Sequence, residues 1–97
     1  MIIRNSDRII RWGGDEFLLI LPGVGVEGAE SMGKRILDRL EKRSLEEDTT
    51  ATVSIGITQY LGEGDSVDGM IYRADLALRA AKSKGKNRLQ VYKKDCF

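Results

Sequence analysis

Two short apolar runs with only four residues between them constrain this chain more than any other feature. Arg8-Ile9-Ile10-Arg11-Trp12 and Phe17-Leu18-Leu19-Ile20-Leu21 are rich in branched and aromatic side chains, and Gly13-Gly14-Asp15-Glu16 separates them, which predicts a hairpin with a four-residue loop. The second run is apolar throughout, so the strand it forms is expected to be covered on both faces. Pro22 and Gly23 then stop it. With 97 residues in all, the remainder can complete one core around this hairpin, and the expectation is a single domain over 1–97.

Downstream, the apolar pattern changes period. Ala29, Met32, Gly33, Ile36, Leu37 and Leu40 recur at helical spacing, which predicts an amphipathic helix over 26–42 followed by a charged linker over 43–48. Residues 50–58, Thr-Ala-Thr-Val-Ser-Ile-Gly-Ile-Thr, alternate and are branched, as a third strand would be. Gly62-Glu63-Gly64-Asp65 turns the chain. Ser66 or Asp65 can cap a second helix whose apolar stripe is Val67, Met70, Ile71, Ala74, Leu78 and Ala81, ending near Gly85. Residues 88–92 give a last short strand. The order strand, strand, helix, strand, helix, strand, with no internal repeat, predicts a layered α/β or α+β sandwich.

Composition removes several function classes. The longest apolar run ends at Pro22, well short of the roughly 20 residues a membrane helix needs. No secretory signal is visible, so the expected location is the cytoplasm. Cys96 is the sole cysteine and reads as an incidental tail thiol. The absence of histidine points any metal toward a hard ion on oxygen ligands, magnesium first. A net charge of +1 gives no basis for general nucleic-acid binding. An RNA-binding module would need aromatic residues on exposed strands, and at 6% aromatic content no strand here supplies them.

The Gly-Gly-Asp-Glu turn is where chemistry could reside. Two glycines let backbone N–H groups approach a bound phosphate without a side chain intervening. Asp15 and Glu16 could hold Mg2+ beside a nucleophilic hydroxyl. Taken alone, the same four residues between two strands are most often just a solvated hairpin loop. Five separated features, in register over residues 4 to about 92, resolve the ambiguity: Arg4-Asn5-Ser6-Asp7, Arg11-Trp12-Gly13-Gly14-Asp15-Glu16-Phe17, Val53-Ser54-Ile55-Gly56-Ile57, Ala74-Asp75-Leu76-Ala77-Leu78, and Ala81-Lys82-Ser83-Lys84-Gly85-Lys86-Asn87. Together they resemble the GGDEF family of diguanylate cyclase domains.

The resemblance implies a truncated nucleotide-cyclase or palm-like domain: a two-layer α+β sandwich, with an antiparallel sheet and helices on one side. It implies condensation of two GTP into cyclic di-GMP with release of pyrophosphate. By it, Gly13 and Gly14 line the nucleotide, Asp15 ligates Mg2+ beside the reacting hydroxyl, and Glu16 supports the same site. Lys82 and Lys86, four apart at the end of the last helix, are expected on one face as phosphate-binding cations. Arg4 and Asp7 fit the family's Arg-x-x-Asp product-inhibition motif, and Arg35 matches the arginine that completes it. Position 86 is often arginine and position 79 often tyrosine in the family, so Lys86 and Arg79 are departures. Asp75 and Leu78 read as helix packing and local hydrogen bonding.

The family's domain begins earlier, with a strand carrying a second metal-binding aspartate and a helix whose Asn and Asp read guanine. No Asp-x-x-Phe-Lys-x-x-Asn-Asp segment occurs here, so the fragment alone is expected to be inactive, with the second metal ligand missing. Loss of that central strand would leave unpaired edges, which predicts a homodimer or strand-exchanged oligomer. An upstream sensory domain is expected in the full protein. The competing reading is a non-catalytic cyclic di-GMP receptor that uses Arg4, Asp7 and Arg35 and treats the turn as structure.

Overall fold

The computed structural model describes residues 8–13, 16–21, 23–48 and 52–92. Six elements follow the expected order: β1 (Arg8–Gly13), β2 (Glu16–Ile20), α1 (Val26–Glu47), β3 (Ile55–Ile57), α2 (Val67–Ser83) and β4 (Leu89–Val91). β1 and β2 pair antiparallel, from Arg8↔Ile20 to Gly13↔Glu16, with an irregularity between Arg11 and Gly13. Pairing thus continues into Gly13 and Glu16, which makes the connection tighter than a four-residue loop. Whether β2 is covered on both faces lies outside the described side chains.

The second sheet departs from expectation. β3 pairs with β4 in parallel, Ile55↔Leu89 to Ile57↔Val91, and the two strand pairs form two separate sheets rather than one antiparallel sheet. The cause is topological: α2 carries the chain back across the sheet between β3 and β4, and such a crossover returns the strand in the same direction. Of the strand expected over 50–58, the described residues 52–58 form strand at Ile55–Ile57, the residues that β4 pairs with, while residues 50 and 51 lie outside the described residues. The ladder is tied off by Ile55 N–H donating to Arg88 O at 2.9 Å and Tyr92 N–H donating to Ile57 O at 2.8 Å.

Helices lie on both faces of this sheet, not on one. A Cβ on Gly33 of α1 would meet Leu89 Cδ2 at 3.0 Å, Ile57 Cδ1 at 3.6 Å and Ile55 Cδ1 at 3.8 Å. A Cβ on Gly56 would instead run into α2, against the Ala74 carbonyl, the Leu78 nitrogen and, at 2.8 Å, Leu78 Cα. Successive strand residues point to opposite faces, so Ile55 and Ile57 serve α1 while Gly56 receives α2. Ile57, Ala77 and Ala81 form the buried apolar centre. Ala77 stood outside the expected stripe. Val67, counted within it, is 71% exposed because it opens the helix at the sheet's rim.

The helix ends follow local chemistry. Ser66 is the N-cap of α2, its Oγ accepting from Gly69 N–H at 3.0 Å, with Asp68 in the first turn and Lys82 in the last. α1 has no side-chain cap of its own at Gly25; Val26 N–H donates to Gln59 Oε1 at 3.1 Å, which fastens the helix start to the exit of β3. Its other end runs past the expected stop at residue 42. The 43–48 segment is helical to Glu47, with Arg43 Nε on Glu47 Oε1 at 3.1 Å, and closes on Asp48 at φ 52°.

Candidate functional site

The sequence-derived residues fall into three groups. Gly13 and Glu16 are the last described residues of β1 and β2 and face each other across the hairpin. Gly14 and Asp15 lie outside the described residues, as do Arg4 and Asp7. Arg35 sits on an exposed face of α1 with no ion pair among the described residues. The structure therefore fixes the register of the turn but not a meeting of Arg4, Asp7 and Arg35.

Those lysines differ from their expected arrangement. Lys82 is in the last turn of α2, where a cation complements the helix C-terminus. Lys86 is not on the helix: α2 ends at Ser83, and Gly85, Lys86 and Asn87 follow at φ 125°, 62° and 48°. One helical face cannot hold both, because the left-handed run after Lys84 redirects the chain. Lys84 is committed elsewhere, its Nζ donating to Gln90 Oε1 at 2.9 Å. All residues from 82 to 88 are exposed, so the two lysines stand at one end of the β3–α2–β4 unit where an anion can reach them.

Toward the other end of α2 is a structural ion pair that sequence reasoning missed. Arg73 Nη1 and Nη2 grip Asp65 Oδ1 and Oδ2 at 2.9 and 2.6 Å, Nη2 also donates to Gln59 O at 3.1 Å, and Nε donates to Thr58 Oγ1 at 3.3 Å. Asp65 in turn accepts from Leu61 N–H and Ser66 N–H, each at 2.8 Å. The side chains of Arg73 and Asp65 are 13% and 5% exposed. Arg73 first, and the Leu61 amide second, hold the Asp65 carboxyl well below the usual carboxylate range, and the guanidinium rises in response. The pair locks the β3–α2 loop. In sequence, Asp65 offered only a turn or cap signal, and its partner eight residues on gave none.

The departure at position 79 has a simple local account: Arg79 Nε meets Asp75 Oδ2 at 3.0 Å along the exposed side of α2. Among the described residues no three acidic, histidine or cysteine side chains gather into a metal-holding group. Asp15 is not among them, so these residues by themselves do not build a magnesium site. No helix of the described residues is long and apolar enough to cross a membrane.

Comparison with known proteins gives this arrangement a family. The chain matches "Diguanylate cyclase, GGDEF domain" over residues 1–88, and it belongs to that family. It is similar to Diguanylate cyclase A of Treponema denticola, 33% identical over 93 residues that make up 93% of this chain and 25% of that protein. It is likewise similar to two Escherichia coli proteins. Diguanylate cyclase DgcM is 38% identical over 89% of this chain and 21% of its own length, and Diguanylate cyclase DosC is 36% identical over 94% and 20%. The chain thus spans between a fifth and a quarter of the length of these relatives.

Proposed function

We propose that this chain is the turn-bearing portion of a diguanylate cyclase domain that joins two GTP into cyclic di-GMP. The observation that carries the reading is the family match through the whole Gly13–Phe17 signature, on a hairpin whose strands close at Gly13↔Glu16. In each bond-forming step the 3′ hydroxyl of one GTP gives up its proton to solvent as its oxygen bonds to the α-phosphorus of the other, the bond from that phosphorus to the oxygen bridging to the β-phosphate breaks, and pyrophosphate departs. Such transfer depends on positioning and charge neutralisation more than on covalent help. Gly13 and Gly14 admit the nucleotide close to the backbone, and Glu16 supports the turn. Lys82 and Lys86 place positive charge on the phosphates. Asp15 is the ligand this chain contributes to Mg2+, which when bound neutralises phosphate charge.

Each domain holds one GTP, so two copies face each other. Guanine recognition and a second metal-binding carboxylate have no counterpart among the residues of this chain, so alone it is expected to be inactive. Arg4, Asp7 and Arg35 form a product-binding site. The receptor reading would use those three residues alone.

An Asp15→Ala substitution in the complete domain separates the two. The cyclase reading expects wild-type turnover that disappears in the variant while cyclic di-GMP binding, followed by calorimetry, persists. Turnover surviving in the variant overturns the role of Asp15. Binding without turnover in the wild-type domain establishes the receptor.

A further inference from the structure

Lys86 is held by a neighbour to which nothing above gives a role. The chain leaves α2 and folds back on it: Gly85 N–H donates to Lys82 O at 3.3 Å and Lys86 N–H to Ala81 O at 3.1 Å. Arg88 closes the same turn from the opposite side. Its Nε donates to the Lys86 carbonyl at 3.1 Å, and its guanidinium lies across Gly85, where a Cβ would stand 2.9 Å from Nη2 and 3.6 Å from Cζ. The Arg88 carbonyl meanwhile accepts from Ile55 N–H at 2.9 Å, which roots this residue in the sheet. Both backbone polar groups of Lys86 are thereby fixed, in the left-handed region that lysine disfavours relative to glycine or asparagine. Among the described residues Arg88 makes no ion pair; its Nε–H is spent on holding this backbone.

We infer that Arg88 is a positioning residue, which fixes the left-handed turn at Gly85–Asn87 so that the Lys86 ammonium is presented to the phosphates of the nucleotide. This rests on the proposed phosphate-binding role of Lys86. A bare surface cation on a flexible tail would sweep a wide volume, whereas a clamped backbone leaves only the side chain to order on binding. Glycine at 85 is required twice over, by its φ of 125° and by the guanidinium above it. Lysine cannot replace Arg88, because it keeps the charge but places a methylene where the Nε–H stands.

The test is a double-mutant cycle on this chain, with inorganic pyrophosphate as the probe and amide hydrogen exchange as a ligand-free readout. Lys86→Ala weakens pyrophosphate binding about tenfold, the loss of one charge-assisted contact. Arg88→Ala and Arg88→Lys each weaken it about fivefold, the value of one solvent-exposed hydrogen bond acting through the Lys86 backbone. In the Lys86→Ala background either Arg88 substitution changes binding by less than about twofold. Exchange at the Lys86 amide quickens in both Arg88 variants while the Ala81 amide stays protected. Two results overturn the positioning role while leaving the phosphate reading intact: full additivity of the two sites, or wild-type binding and unchanged Lys86 exchange in Arg88→Lys. If wild type fails to bind, or Lys86→Ala binds as tightly as wild type, the phosphate reading itself is wrong, and the exchange data still decide whether Arg88 holds the turn.

Discussion

Replacing Gly56 with alanine adds a single methyl group at a place where a strand and a helix touch backbone to backbone. The new Cβ would stand 2.8 Å from Leu78 Cα and closer still to the Leu78 nitrogen and the Ala74 carbonyl oxygen. None of these atoms can rotate away. Carbon atoms rest at about 3.5–4.0 Å, so α2 must lift by roughly 1 Å. A gap of about 0.5–1 Å forfeits a quarter to a half of each dispersion contact beneath it, here those of Ala77 and Ala81, which are both fully buried. Overpacking costs about 1–3 kcal/mol, and a clash with backbone belongs at the upper end, about 3 kcal/mol. At roughly 4–8 °C per kcal/mol for a domain of this size, the melting temperature of Gly56→Ala falls by about 12–24 °C. Thermal denaturation followed by far-UV circular dichroism reads this directly. Gly28→Ala is the control, since its Cβ would meet only the end of the Val24 side chain, Cγ1 at 2.8 Å, and alanine is the better helix former by about 1 kcal/mol. If Gly56→Ala melts within about 3 °C of wild type, or no lower than the control, the close approach of α2 to β3 does not govern stability and the reasoning fails.

Two smaller perturbations test the loop that joins the same elements. Ser66→Ala removes the acceptor for Gly69 N–H and should cost about 1 kcal/mol, seen as a lower urea midpoint with an unchanged slope. Asp65→Asn should destabilise at neutral pH. The native carboxyl is held below its unfolded value, so its contribution is complete above about pH 4 and fades as pH falls toward the depressed native value. The gap between Asp65→Asn and wild type should therefore narrow on acidification from about pH 4 downward, measured by urea titration at each pH; a constant gap would remove the ion pair from the account.

The local signals in the sequence were sufficient for the elements themselves. Periodicity placed both helices and all four strands in order, and of the two cap candidates, Ser66 and Asp65, the helix uses Ser66. Non-local geometry was not legible. Nothing in residues 50–58 or 88–92 states that they pair with each other in parallel, because that pairing is decided by where α2 returns the chain. The two helix faces were legible in principle: Ile55-Gly56-Ile57 alternates large, none, large, which is the pattern of a strand with a side-chain contact on one face and a backbone contact on the other. The lysine spacing misled for a related reason. Counting four residues from Lys82 to Lys86 assumes helix throughout, yet Gly85 between them marks the left-handed exit that takes Lys86 off the helical face. The Asp65–Arg73 clamp had no sequence signature, since its partners become neighbours only when the β3–α2 loop folds over the first turns of the helix.

These contacts share one mechanical consequence. Gly56 lets α2 lie on β3, Arg73 ties the entrance of α2 to the exit of β3, and Arg88 ties the exit of α2 to the entrance of β4. The helix is thus pinned at both ends and along its length to a sheet of only two strands, a sheet too small to be stable unaided. Rigidity at the far end of α2 is what a phosphate site built from single cations needs, because a lysine offers a point charge without the planar fork that lets arginine define its own geometry. This chain has lysine at position 86, and precision must then come from the backbone beneath the side chain. The consecutive left-handed residues and the Arg88 hydrogen bond supply it, and they make the same fold that stabilises the β3–α2–β4 unit the mount for its proposed chemistry.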